Sequence, residues 1–144
     1  MPTVADPPTC FVVDTSVAVA ALDATHAAHV ACREAVMATK AGLAGHAAFE
    51  TLSVLTRMPG HLRLDAPTAA EVLRAAFPGR CWLEPAQSDA LLAHCGTLGI
   101  IGGAVYDAQV GEAARVHGCR LLTRDRRAQR TYDLLGVYYE FVAS

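Results

Sequence analysis

A single lysine, few aromatic rings and no long apolar run are the shortages that first constrain this chain of 144 residues. No stretch reaches the roughly 18 apolar residues that a bilayer-spanning helix requires, so no such helix is expected. Aromatic residues make up 6% of the chain, too few to announce a dedicated platform for stacking unpaired bases. The formal net charge is −2, so no global field draws the protein to nucleic acid and any attraction must be local. Neither G-x-x-x-x-G-K-[ST] nor G-x-G-x-x-G occurs, which removes those two phosphate loops. Gly102-Gly103 then reads as a place of close backbone approach ahead of a helix.

Cysteine and histidine exclude more. The five cysteines are odd in number, form no C-x-x-C pair and mostly stand among aliphatic residues. They read as reduced core side chains of a cytoplasmic protein. The six histidines make no zinc motif. His26 and His29 read as helix surface, and His46, four residues before Glu50, is kept as a ligand or a support to one.

What the chain does contain is 53% hydrophobic residues and only 18% charged ones, enough for one domain with a proper core. Met1 to Thr9 carries three prolines and reads as a flexible N-terminus, leaving 10–144 as the domain. Cys10 to Val13 is short and uniformly apolar, as a strand covered on both faces should be. Ala41 to Gly45, Cys81 to Leu83, Cys119 to Thr123 and Val137 to Val142 are further strands. Between them fall helices over Val17 to Leu22, His26 to Lys40, His46 to Thr56, Pro67 to Ala76, from Ser88 or Asp89 to Leu98, Ala104 to His117, and Ala128 to Leu135. Pro67 suits a first helical turn, and Gly118 and Gly136 stand where helices stop. Strands alternating with helices predict an α/β fold with a mostly parallel, twisted sheet flanked by helices. No internal repeat or linker divides it.

The acids carry the chemistry. Asp14 and Asp125 each follow a strand, Asp107 opens a helix, and Glu50 stands in an otherwise uncharged helical segment. From Asp107 a helix climbs about 15 Å, and from Cys119 a strand returns about 20 Å. Asp107 and Asp125 therefore finish at the same edge. Asp14 alone reads as a helix N-cap; at the carboxyl end of a parallel strand it is also where open sheets present ligand groups. Glu50 is either an exposed acid or a buried one in need of a partner. Four carboxylates at one edge raise one another's pKa unless a counter-charge is present. Hard Mg²⁺ or Mn²⁺ answers that need and suits phosphate substrates, which points to a phosphoryl-transfer or phosphodiester-cleaving site. Eleven of the twelve basic residues are Arg, and Arg124, Arg126, Arg127 and Arg130 fall within seven positions. They are a solvated face, or a set of phosphate contacts.

The segments FVVDTS, FETLSVLTR, GGAVYDAQV and LLTRDRRAQRTYDLLGV resemble a PIN-domain ribonuclease of the VapC toxin type, over Cys10 to Val142. The resemblance implies a single PIN-like domain whose acidic quartet and metal ligands are Asp14, Glu50, Asp107 and Asp125. It implies that Ser16 and Thr123 orient carboxylates or water, and that the four arginines meet RNA or an antitoxin. It further implies an endoribonuclease dependent on Mg²⁺ or Mn²⁺, acting through metal-activated water, inhibited by a VapB-type antitoxin and usually homodimeric. A catalytically silent PIN-like binding module is the alternative, and retention of all four acids argues against it. A haloacid-dehalogenase phosphatase expects a second Asp where Ser16 stands. A receiver domain expects a late Lys, whereas the only one is Lys40.

Overall fold

The computed structural model describes residues 10–143, so the flexible start expected over residues 1–9 lies outside the described residues. Five short strands form one sheet: β1 (Phe11–Val13), β2 (Gly42–Ala44), β3 (Arg80–Cys81), β4 (Arg120–Thr123) and β5 (Tyr139–Phe141). Their order is β3-β2-β1-β4-β5, and every pairing is parallel. The described residues also hold the helices α1 (Thr15–Leu22), α2 (His29–Thr39), α3 (Ala47–Arg57), α4 (Ala66–Ala76), α5 (Pro85–Leu98), α6 (Ala104–Val116) and α7 (Gln129–Leu135). α1 packs on α2 and α3, and α3 on α4, while α6 packs on α5 and α7. Right-handed crossovers place these two groups on opposite faces of the sheet.

Local chemistry sets the boundaries. Asp14 caps α1 by accepting from the Val17 amide, and Asp65 caps α4 by accepting from the Thr68 amide at 2.8 Å. α5 begins earlier than the expected Ser88 or Asp89. Glu84 and Gln87 form a reciprocal capping box, and Pro85 occupies the first turn, so the chain turns helical as soon as it leaves Leu83. The buried apolar residues of β1, β2 and β4, among them Val13, Leu43, Leu121 and Leu122, meet Val17, Phe77 and Tyr132 from the helices in one core.

Two glycines permit close packing. A Cβ on Gly42 would stand 2.4 Å from the Gly79 carbonyl oxygen, which accepts from the Leu43 amide as β2 and β3 begin to pair. A Cβ on Gly111 would stand 2.9 Å from Cδ1 of Tyr132, so this glycine lets α6 close on α7. Gly102 and Gly103 do not serve that purpose: space is open at both, and Gly102 simply takes the positive φ of the turn into α6.

The expectation that every cysteine is reduced fails for two of them. Cys10 and Cys119 form a disulfide, with Cα atoms 4.7 Å apart. The cause is register. Phe11 pairs with Arg120 in the β1–β4 ladder, so the residues just before them stand side by side although 109 positions separate them in sequence. Cys32, Cys81 and Cys95 are free and buried, as small core side chains. Cysteine usage therefore gives no support to a reducing compartment. Among the described residues, no helix is long and apolar enough to cross a membrane.

Candidate active site

The strand order reverses direction between β1 and β4, and the crevice beyond the carboxyl ends of such a strand pair is where open parallel sheets bind ligands. Asp14 leaves β1 there, and Thr123 ends β4 beside it. Asp14 is buried, with 5% of its surface exposed, and four donors hold its carboxylate. Oδ1 accepts from the Ser16 hydroxyl at 2.5 Å and from the Val17 amide at 3.3 Å. Oδ2 accepts from the Thr123 hydroxyl and, at 3.0 Å, from the phenol of Tyr132. Burial drives the Asp14 pKa upward, and these four hydrogen bonds counter it. Asp14 is thus both the expected cap and a member of the site.

The structure brings the other three acids to the same place. Asp14, Glu50, Asp107 and Asp125, with Thr15, Ser16, Val110 and Tyr132, line a cleft of about 40 Å³, room for an ion or a few waters. Glu50 and Asp107 come from the first turns of α3 and α6. Asp125 is fixed by local bonds, accepting from the Arg127 amide at 2.9 Å, while its own amide donates to Thr123 Oγ1 at 3.1 Å. Ser16 and Thr123 behave alike: each donates to Asp14 and accepts a backbone amide from the segment after β4, Ser16 from Arg124 at 2.8 Å. They tie the Asp14 carboxylate to the loop that carries Asp125.

Charge in the cleft is poorly balanced. Burial, followed by repulsion from Asp125, Glu50 and Asp14, raises the Asp107 pKa to about 6, with Arg127 opposing. Glu50 Oε2 accepts from the Thr15 hydroxyl at 3.1 Å, but Oε1 is buried with no hydrogen-bond partner. His46 Nε2, at 3.8 Å from Oε1, is beyond hydrogen-bond reach. A cluster of hard carboxylate oxygens, one of them orphaned, fits a hard divalent cation and offers no soft ligand. Among the described residues, no three His, Cys, Asp or Glu side chains are already drawn into a metal cage. The donor set therefore fits an open site, in which waters and substrate complete the shell.

The four arginines separate. Arg124 reaches the Val142 carbonyl through Nη1 at 2.7 Å, and Arg126 lies over the Phe141 ring at 4.5 Å, so both brace the end of β5. Arg127 is almost fully exposed, with Nε 3.6 Å from Asp125 Oδ1. Arg130 lines a surface depression with Arg126 and Asp133, outside the acid cleft. Arg127 is thereby paired with one of the cleft acids. The site residue that sequence reasoning missed is Tyr132. Its signal was the apolar-looking YDLL turn of α7, which reads as ordinary core until Gly111 is seen to admit the ring.

Comparison with known proteins agrees with this geometry. The PIN domain family model matches residues 11–134. Ribonuclease VapC27 of Mycobacterium tuberculosis is 44% identical over 126 residues, covering 88% of this chain and 92% of that protein. Ribonuclease VapC40 of the same species is 42% identical over 133 residues, covering 90% and 96%. With its parallel sheet, its acids gathered at the β1–β4 crevice and likeness along nearly its whole length, the chain belongs to the PIN-domain family and is of the VapC type.

Proposed function

We propose that this protein is a metal-dependent endoribonuclease toxin, held in check by a VapB-type antitoxin. The observation that carries the reading is the acid cleft: four carboxylates face one small opening, and burial, reinforced by repulsion among them, lifts Asp107 to about 6. Asp14, Glu50, Asp107 and Asp125 would hold Mg²⁺, with Mn²⁺ able to substitute. When bound, that ion would supply Lewis acidity to the phosphate and lower the pKa of a water.

The chain's own residues supply position. Ser16, Thr123 and Tyr132 fix Asp14 so that its carboxylate keeps one orientation. Thr15 orients Glu50, and the Arg127 amide orients Asp125. Exposed Arg127 can pair with a substrate phosphate without entering the cleft, which contributes affinity and register rather than base choice. Hydrolysis directed by this set would leave a 5′-phosphate and a 3′-hydroxyl. The relatives' names support an RNA substrate and, through the VapC type, an antitoxin partner; the same reading has the chain act in the cytoplasm as a homodimer.

The test is cleavage of total cellular RNA by purified protein with Mg²⁺, with Mn²⁺ and with chelator, beside an Asp14→Asn variant. Discrete metal-dependent fragments bearing 5′-phosphates, absent with the variant, are expected. Identical RNA patterns from both proteins under all conditions would refute the activity and leave a silent binding module.

A further inference from the structure

Three of the chain's aromatic residues and one histidine are gathered where composition gave no reason to expect them. Tyr106, His46, Phe49 and Trp82 form a connected row. The Tyr106 and His46 rings stack with centroids 5.2 Å apart and planes 16° from parallel. His46 meets Phe49 at 6.4 Å, and Phe49 meets Trp82 at 5.8 Å. Three of the four rings are substantially exposed: Phe49 at 60%, Tyr106 at 52% and Trp82 at 44%. Single exposed apolar side chains are ordinary, but a contiguous row of aromatic rings left in water marks a binding surface.

Its position says what binds. Tyr106 precedes Asp107, and His46 and Phe49 lie on the same turn as Glu50, so the row starts at the acids. Asp107, Glu50, Tyr106, Phe49 and Arg57 line one groove. Phe49 and Trp82 also line a cavity of about 280 Å³, otherwise mostly apolar, with His46, Gln109 and Ser88 as its polar side chains. The Trp82 carbonyl accepts from His117 Nε2 at 2.8 Å, which anchors the segment after β3.

We propose that this row is a base-stacking platform that receives unpaired nucleotides of single-stranded RNA next to the phosphodiester at the acid cleft. The inference rests on the nuclease reading and adds to it the side chains that hold the bases. A polymer lying in this groove with a phosphate at Glu50 and Asp107 has these rings beside its neighbouring nucleotides. Every base offers a π face to them irrespective of sequence. Arg57 supplies a cation for the backbone, and Gln109 offers both donor and acceptor to a base edge. Bases already stacked inside a duplex cannot use such a row, so the platform selects loops, bulges and single strands.

Trp82 is the only tryptophan, so its emission reports the surface directly. The experiment titrates Asp14→Asn protein, which leaves RNA uncut, with a short single-stranded RNA of mixed sequence and with the same RNA annealed to its complement. Saturable quenching by the single strand is expected, with at least tenfold weaker binding of the duplex. Phe49→Leu and Tyr106→Leu should each weaken binding about tenfold, whereas Phe49→Tyr and Tyr106→Phe should keep it. In the active protein, the Leu changes should raise KM by a similar factor and leave kcat nearly unchanged. No quenching, equal affinity for duplex and single strand, or Leu variants as tight as the aromatic ones would overturn the platform. So would Leu variants that keep RNA affinity and lose only a VapB-type antitoxin, since the face would then be a protein surface. Failure of the wild-type protein to cut any RNA would refute the nuclease reading alone, because the quenching measurement does not depend on turnover.

Discussion

Replacing Asp107 with Asn should make the metal-free protein more stable, and by an amount that depends on pH. The folded-state pKa of Asp107 is about 6 against an ordinary 3.8. A shift of about two units corresponds to at most about 3 kcal/mol. Asp107 is only half-buried, and screening by solvent reduces this to about 1–2 kcal/mol. The sign follows from proton linkage. A carboxyl whose pKa is raised by folding binds its proton more tightly in the folded state, so its ionisation penalises folding. That penalty is complete above about pH 6, shrinks as pH falls through 6, and is gone near pH 4. Asp107→Asn lacks it. In chelator at about pH 8 the variant should melt roughly 3–7 °C above wild type, and the gap should close towards about pH 4. Adding Mg²⁺ should raise the wild-type melting temperature more than that of the variant, because a ligand stabilises only the state it binds. Thermal melts across that pH range decide the matter. A variant less stable than wild type at about pH 8, or one whose gain is the same at every pH, would refute the electrostatic account of the cleft.

Other substitutions probe the scaffold under the acids. Tyr132→Phe deletes one donor to the buried Asp14 carboxylate and should lower stability by about 1–2 kcal/mol. With less support for its charged form, Asp14 should titrate higher, moving the acid limb of the pH–rate profile upward. Gly111→Ala drives a methyl to within 3.0 Å of both Tyr132 and Val137 and should destabilise by about 1–3 kcal/mol, read by denaturant unfolding at unchanged m-value. Reducing the Cys10–Cys119 bridge, which spans 109 positions, should remove about 2–4 kcal/mol. Cys10→Ser should melt like the reduced wild type and be indifferent to reductant; equal melting of oxidised and reduced wild type would refute the bridge.

The fold was legible wherever the pattern is local. Apolar runs such as FVV and RLLT became parallel strands because both of their faces are covered, and Gly136 ended α7 as its permissive φ allows. The convergence of Asp107 and Asp125 followed from rise per residue alone. What stayed hidden depends on register and on which elements face each other. Cys10 and Cys119 became partners only once β1 and β4 paired, and an odd number of cysteines gave no sign of it. Tyr132 drew no reading because nothing in YDLL says that its hydroxyl ends at Asp14, more than a hundred residues away. The aromatic row was missed for a related reason. Composition counts rings, while stacking needs only a few of them at one edge, and α3, α6 and the segment after β3 each deliver theirs separately. The resemblance to PIN-domain ribonucleases supplied the quartet as a set, whereas physical reading left Asp14 as a cap and Glu50 undecided.

The cleft treats its carboxylates unequally, and that has a consequence for Asp14→Asn. Asp14 is surrounded by donors, two hydroxyls and an amide and a phenol, while Asp107 is surrounded by other acids. An Asn side chain at position 14 can keep its oxygen towards Ser16 and the Val17 amide, which cannot rotate away. Its NH₂ then faces Thr123 and Tyr132, whose hydroxyls can turn and accept. Thr123 Oγ1 already accepts the Asp125 amide and has one lone pair left for this purpose. Asn also removes the burial penalty of a charge. Gains and losses are therefore comparable, and the variant should stay folded within about 1 kcal/mol of wild type while losing a negative charge from the cleft. Asp107→Asn, a few ångströms away in the same opening, should gain stability clearly at about pH 8. Equal effects of the two changes on metal-free stability would mean that local hydrogen bonding does not distinguish them. The division would then fail in which Asp14 is a fixed anchor and Asp107 a charge awaiting its counter-ion.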